Sequence, residues 1–121
     1  MDVEKENYKE KYGDVPTPYF LIKEMLPVFN PADRSQCKII NMSYIYGVVP
    51  PNQEIYKTLS RARGREYIKP LSYSASKAAL GMVTKYLAVY LGKNGFNVNG
   101  IVPGGIENSQ PKEFIELYSK N

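Results

Sequence analysis

Residues 73–91 read YSASKAALGMVTKYLAVYL, and this stretch decides the fold. It contains no proline, follows Ser72, a residue type suited to an N-cap, and runs into Gly92 and Gly95. It therefore predicts a helix over 73–91. Its small residues Ala75, Ala78, Ala79 and Gly81 would let another backbone approach closely. Upstream, CKIINMS at 37–43 is a short apolar run bounded by the polar stretch 30–36 and by Gly47, which reads as a buried strand. Downstream, FNVNGIV at 96–102 alternates apolar with polar or small residues before Pro103-Gly104-Gly105, a second strand followed by a turn. Strand, helix, strand in this order predicts an α/β domain with a right-handed parallel crossover. Its ligands are expected beyond the carboxyl ends of the strands, where Ser43, Tyr44 and residues 103–108 fall.

The remaining segments frame this unit. Residues 2–11 are charged and helix-permissive. Gly13, Pro16 and Pro18 interrupt them before an apolar patch from Tyr19 to Leu26, and the prolines suit the start of a helix better than its interior. Residues 48–70 show no sustained period and read as a long loop excursion of the kind that carries function or is disordered. Residues 113–120, after Pro111, suit a short terminal helix. With no internal repeat, residues 1–121 read as a single domain.

Composition narrows the chemistry. Histidine is absent and Cys37 is the single cysteine, which excludes a Ser-His-Asp triad, a Cys-His pair and a zinc cluster, so no metal is expected. Any proton transfer must use Tyr, Lys, Asp or Glu. No apolar leader or membrane-length apolar run is present, and one cysteine forms no intramolecular disulfide, so a cytoplasmic location is expected. The formal net charge of +4 is spread among interspersed lysines and acids and reads as solubility rather than nucleic-acid binding, for which no aromatic platform or motif is present. Arg61, Arg63, Arg65 and Lys69 cluster in the excursion. They read as a solvated loop, with a grip on a phosphate or nucleotide-sugar substrate as the alternative.

Tyr73 and Lys77, four residues apart, share one helical face, so an ammonium can stabilise a phenolate and lower a pKa that is otherwise about 10. Such a phenol can exchange a proton with a carbonyl or alcohol. Spacing alone decides little, because Tyr19 and Lys23 repeat it among ordinary apolar neighbours. Tyr86 and Tyr90, one turn apart, read as core or subunit-interface aromatics.

Context decides. KIINMSYIYG, YSASKAALGMVTKYLAVYL, FNVNGIVPGG and an aromatic tail follow in order, and this set resembles the short-chain dehydrogenase/reductase family over nearly the whole chain. The resemblance implies part of a Rossmann-type, doubly wound parallel sheet. It also implies an NAD- or NADP-dependent oxidoreductase acting on a carbonyl/alcohol pair of a small-molecule substrate. Tyr73 would be the acid/base. Lys77 would lower its pKa and hold the nicotinamide ribose. Pro103, Gly104 and Ile106 match the loop against the nicotinamide, and Asn108 stands where a threonine often touches the carboxamide. The family's catalytic serine aligns with Tyr44, leaving Ser43 one residue early. That offset reverses side-chain direction unless the strand end bulges or turns. The family's helix asparagine, which helps hold a relay water, corresponds to Asp14. IYGVVPP, the tyrosine-bearing insertion and PGGIENSQPKEFIELY narrow the likeness to oxidoreductases of bacterial surface-sugar or flagellin-glycan synthesis, and so to a sugar-like substrate.

The family's glycine-rich phosphate loop has no counterpart before Lys38, so the expected fold lacks the N-terminal phosphate-binding half. Two further expectations follow: a complementing N-terminal half, and homo-oligomer contacts through the helices near Phe20 and at 73–91. The alternative function is a non-catalytic fragment or assembly module of the same family.

Overall fold

The computed structural model describes residues 16–29 and 37–121. Helix α1 (Pro16–Met25) starts on a proline, as its residue type favours, and continues into a 3₁₀ turn at Leu26–Val28. Strand β1 (Lys38–Met42) leads to a 3₁₀ turn at Ile45–Gly47, then α2 (Gln53–Arg63), α3 (Leu71–Gly92), β2 (Asn97–Ile101) and α4 (Lys112–Tyr118). β1 and β2 pair in parallel, with Ile39 opposite Val98 and Met42 opposite Ile101. This is the strand–helix–strand unit of a doubly wound Rossmann-type sheet. Among the described residues that sheet has two strands.

Two clusters hold these elements. In the first, Ile39 and Val98 from the strands meet Leu87, Leu91, Phe96 and, from α1, Ile22. α3 presents Ser72, Ser76, Leu80, Thr84, Leu87 and Leu91 inward at steps of three and four, one continuous face. The upper half of that face is small and polar. Thr84 Oγ1 accepts 2.9 Å from Asn41 Nδ2 and donates to the Leu80 carbonyl, so a buried amide on β1 is satisfied by the helix. The second cluster is aromatic: Tyr46, Ile55, Tyr56, Leu59 and Phe114, with Tyr44, Tyr67, Tyr73 and Tyr118 packed against it.

Two expectations need correction. The excursion at 48–70 contains an eleven-residue helix, α2, rather than a loop throughout. Ile55, Tyr56 and Leu59 form a narrow buried stripe, Asn52 Oδ1 caps the Glu54 N–H at 3.1 Å, and Gly64 closes the helix at φ 63. Ser72 is not the N-cap of α3, which begins at Leu71 after Pro70. Ser72 lies inside the first turn with its hydroxyl buried. The proline supplies the fixed extended residue from which the helix starts.

Candidate active site

At the carboxyl end of β1 the chain is stitched to its parallel neighbour past the strands themselves. The Ser43 N–H donates to the Ile101 carbonyl at 2.8 Å and the Ile45 N–H to the Pro103 carbonyl at 3.0 Å. This fixes the start of the 103–108 loop beside the 3₁₀ turn. The same turn lies directly on α3. A Cβ placed on Gly47 would stand 2.6 Å from the Lys77 carbonyl carbon and 2.8 Å from the Ala78 nitrogen, so only glycine fits there. The close backbone approach expected of the small residues on this helix thus occurs at Ala78, whereas Gly81 faces open space.

Lys77 is held by the same strand end. Ser43 Oγ donates to its carbonyl at 2.8 Å, and its own Nζ donates to the Met42 carbonyl at 3.4 Å. One turn earlier, Tyr73 is half-buried. The Tyr44 ring meets it edge-on at 5.6 Å, the Lys69 ammonium lies 3.8 Å from its ring centroid, and the Lys77 ammonium lies 5.9 Å from the same point. Burial pushes the Tyr73 phenol above its ordinary value, and the nearby phenols of Tyr118 and Tyr67 push it the same way. The expected lowering by Lys77 is therefore not what this arrangement produces. Desolvation dominates, and the ammonium is engaged at the Met42 carbonyl.

The two hydroxyl candidates separate. Ser43 continues the inward alternation of Ile39 and Asn41 without a bulge, so it is buried against α3 with its hydroxyl committed to the helix. Tyr44 is the residue brought against Tyr73, with its hydroxyl 3.2 Å from that of Tyr118. Asp14 lies outside the described residues. Pro103, Gly104, Ile106 and Asn108 lie along one loop, braced where the Asn108 N–H donates to Gln110 Oε1 and Gln110 Nε2 donates to the Ile106 carbonyl. By contrast, Tyr19 packs edge-on against Phe20 on the exposed side of α1, and Lys23 is exposed beside it.

Beside Tyr44 opens a cavity of about 350 Å³ between α2, the 103–110 loop and α4. Tyr44, Tyr56, Tyr67 and Tyr118 supply its aromatic wall, and Arg63, Lys69 and Glu107 its charges. Sequence reasoning missed Tyr56, Tyr67 and Tyr118 as site residues. Their signal was the density of tyrosine itself, eleven in 121 residues, ordered here around one space. The basic cluster divides: Arg61 reaches Glu113 at 3.5 Å, Arg65 is exposed, and Arg63 and Lys69 line the cavity. Among the described residues, no group of three or more Cys, Asp or Glu could hold a metal ion, and no helix is long and apolar enough to cross a membrane.

Residues 57–120, just over half of the chain, match the family model described as Enoyl-(Acyl carrier protein) reductase. The post-translational flagellin modification protein A of Campylobacter coli is 33% identical over 87 residues, 72% of this chain and 32% of that protein. The 5-keto-D-gluconate 5-reductase of Escherichia coli (strain K12) is 40% identical over 53 residues, 44% of this chain and 20% of that protein. Among solved structures, a short chain dehydrogenase from Leptospira borgpetersenii serovar Hardjo-bovis (strain JB197) with bound NAD+ superposes with a TM-score of 0.54. It is 37% identical, and the match covers 65% of this chain and 27% of that one. The matched stretch thus spans at most 32% of the length of these relatives.

Proposed function

The chain belongs to the short-chain dehydrogenase/reductase family, and on that premise we propose that it forms the catalytic and substrate-binding portion of an NAD(P)-dependent reductase of a sugar-derived carbonyl. One observation carries this reading. Tyr73 and Lys77 stand one turn apart at the carboxyl end of β1, with Tyr73 packed against Tyr44, which lines a tyrosine-rich cavity of about 350 Å³. The relative named for 5-keto-D-gluconate reduction supports a sugar-like substrate.

The residues present fit the nicotinamide end of such a cofactor. Met42, Val102 and Ile106 expose apolar surface at the carboxyl ends of the strands, where a flat heteroaromatic ring would be covered. Lys77 would hold the ribose hydroxyls, and Pro103, Gly104, Ile106 and Asn108 would line the ring. When bound, a nicotinamide cofactor supplies or accepts the hydride. The chain's own part is the proton. The Tyr73 phenol keeps its proton at neutral pH, so it can donate that proton to a carbonyl oxygen in the reductive step. Lys77, one turn along the helix, would stabilise the phenolate by turning from the Met42 carbonyl to which it donates here. Tyr44 occupies the position of the family's serine and shapes the approach to Tyr73.

The test is NADH and NADPH oxidation with 5-keto-D-gluconate and related ketoses. Tyr73→Phe is expected to lower turnover at least about a hundredfold, the usual weight of a positioned acid. Unchanged turnover defeats the assignment. A second reading, a non-catalytic assembly module, is favoured by the commitment of Ser43 Oγ to the Lys77 carbonyl. It predicts no saturable cofactor binding in calorimetry, and micromolar NADH binding by the chain would rule it out.

A further inference from the structure

Two phenols far apart in the sequence, Tyr44 and Tyr118, meet on the cavity wall with their hydroxyls 3.2 Å apart. That separation lies beyond the usual span of an O–H···O bond, roughly 2.5–3.0 Å, so the bond is weak and readily exchanged for another partner. The protons around it can be counted. The Tyr56 hydroxyl donates to that of Tyr46 at 3.1 Å, and the Tyr46 ring meets the Tyr118 ring edge-on. Even if Tyr46 donates onward to Tyr118, these phenols in a row carry one proton more than they have links. Because Tyr56 is a donor, the surplus O–H falls at the Tyr44–Tyr118 end, where it borders the cavity. The seat of Tyr118 is made by Gly105. A Cβ there would stand 2.5 Å from Cε1, 2.7 Å from Cζ and 3.0 Å from the hydroxyl of Tyr118. Those atoms are the far end of a side chain, so a methyl at 105 would move the ring rather than break the loop. Phe114, one turn earlier on α4, stacks against the same ring at 5.8 Å. Burial first raises the Tyr73 phenol and the Tyr118 phenol is near enough to add to it, so the pair and Tyr73 share one neighbourhood.

We infer that Tyr44 and Tyr118 act as one hydrogen-bond donor to the substrate's carbonyl oxygen beside Tyr73, with Tyr44 touching that oxygen and Tyr118 orienting Tyr44. Ser43 cannot serve there, because its hydroxyl is committed to the Lys77 carbonyl. Tyr118 donates to the Tyr44 oxygen, and a phenol that accepts one hydrogen bond donates the next more strongly. Tyr44 is thus the catalytic hydroxyl, which holds the carbonyl and keeps its own proton while Tyr73 delivers one. Tyr118 is a positioning residue, and Gly105 is what admits it to the loop. The inference rests on the proposed reading for the purpose of the bound carbonyl. Its test reads the carbonyl itself with no cofactor present, so the two fail separately.

The probe is 5-keto-D-gluconate carrying carbon-13 at its ketone, added to the chain and followed by difference infrared spectroscopy, with its affinity measured by calorimetry. The ketone stretch of the bound probe is expected at lower frequency in the parent than in Tyr44→Phe or Tyr118→Phe. Each variant should also bind about fivefold more weakly, the scale of one hydrogen bond. Gly105→Ala keeps both phenols but displaces the Tyr118 ring, and it should move the stretch as Tyr118→Phe does. Tyr90→Phe, on the outer side of α3, keeps the parent's values. Far-UV circular dichroism confirms that each variant is folded. A parent that does not bind the probe overturns the inference, as does a stretch that Tyr44→Phe leaves in place. A stretch unmoved by both Tyr118→Phe and Gly105→Ala overturns the positioning role. The expected stretches in a chain that oxidises no NADH or NADPH uphold this inference and defeat the catalytic reading alone. Turnover that needs Tyr73, with a stretch indifferent to Tyr44, does the reverse.

Discussion

Gly47 is the residue whose replacement the structure least tolerates. The atoms facing it are the Lys77 carbonyl carbon and the Ala78 nitrogen, both backbone within a continuous helix, so neither can swing aside. Gly47→Ala should destabilise the chain by about 2 kcal/mol, the middle of the range for overpacking, and displace Lys77 from the Met42 carbonyl. Urea denaturation checks the first effect, and a midpoint within error of the parent would refute it. At this scale Tyr73 and Lys77 were legible because their spacing sits within a long ordered motif. Tyr44 was legible as an anomaly at the serine position. The inward commitment of Ser43 was foreshadowed by the two-residue period of the strand, since Ile39, Asn41 and Ser43 share a face. The direction of the Tyr73 shift was not legible, because it depends first on burial in the folded chain and then on the nearby phenols of Tyr118 and Tyr67, which only the fold brings close.

The elements were read unevenly, for reasons each carries in its own sequence. α3 and both strands were recovered to within two residues at either end, since long apolar patterning and flanking glycines mark them. α2 was missed because eleven residues carry only three buried apolar side chains among seven polar or charged neighbours, although Asn52 and Gly64 are correct start and stop chemistry for it. Those two residues now yield a prediction. Asn52→Ala removes the cap on the Glu54 N–H, and Gly64→Ala forces a left-handed residue with no compensating contact. Each should cost about 1 kcal/mol. Thermal melts should show both variants shifted downward, and a melt unmoved by either would mean that α2 contributes little to cooperative stability.

At the scale of the molecule, two apolar faces remain open. Ile40, Met42 and Ile101 are exposed on one side of the sheet, and Met82, Tyr86, Val89 and Tyr90 on the outer side of α3, where the two tyrosine rings stack at 6.0 Å. Surfaces of this kind recruit partners. The chain alone is expected to self-associate in light scattering, Tyr86→Lys is expected to reduce that association, and a sharp monomeric peak from the parent would count against it. Alkali should act on the whole fold. Burial is the first cause that raises Tyr44, Tyr46, Tyr56 and Tyr73 above the ordinary value of 10.0. A folded phenol with a raised pKa keeps its proton where the unfolded one loses it. Stability is therefore full below about pH 10 and declines as pH rises above it. Urea midpoints at about pH 8 and about pH 11 should differ accordingly, and Tyr56→Phe should flatten the difference; equal midpoints would contradict the burial.

The pairing of phenols around the cavity also makes the protein its own optical instrument. The sequence has no tryptophan, so its near-ultraviolet signal comes chiefly from tyrosine, and the Tyr44–Tyr118 and Tyr56–Tyr46 hydroxyl pairs border the space where a ligand would sit. A molecule that enters and breaks either pair changes the polarity and hydrogen bonding of those chromophores, and so shifts their absorbance and emission without any label. Occupancy of the cavity can then be followed in real time by tyrosine difference spectroscopy, with Tyr118→Phe assigning the signal to its source.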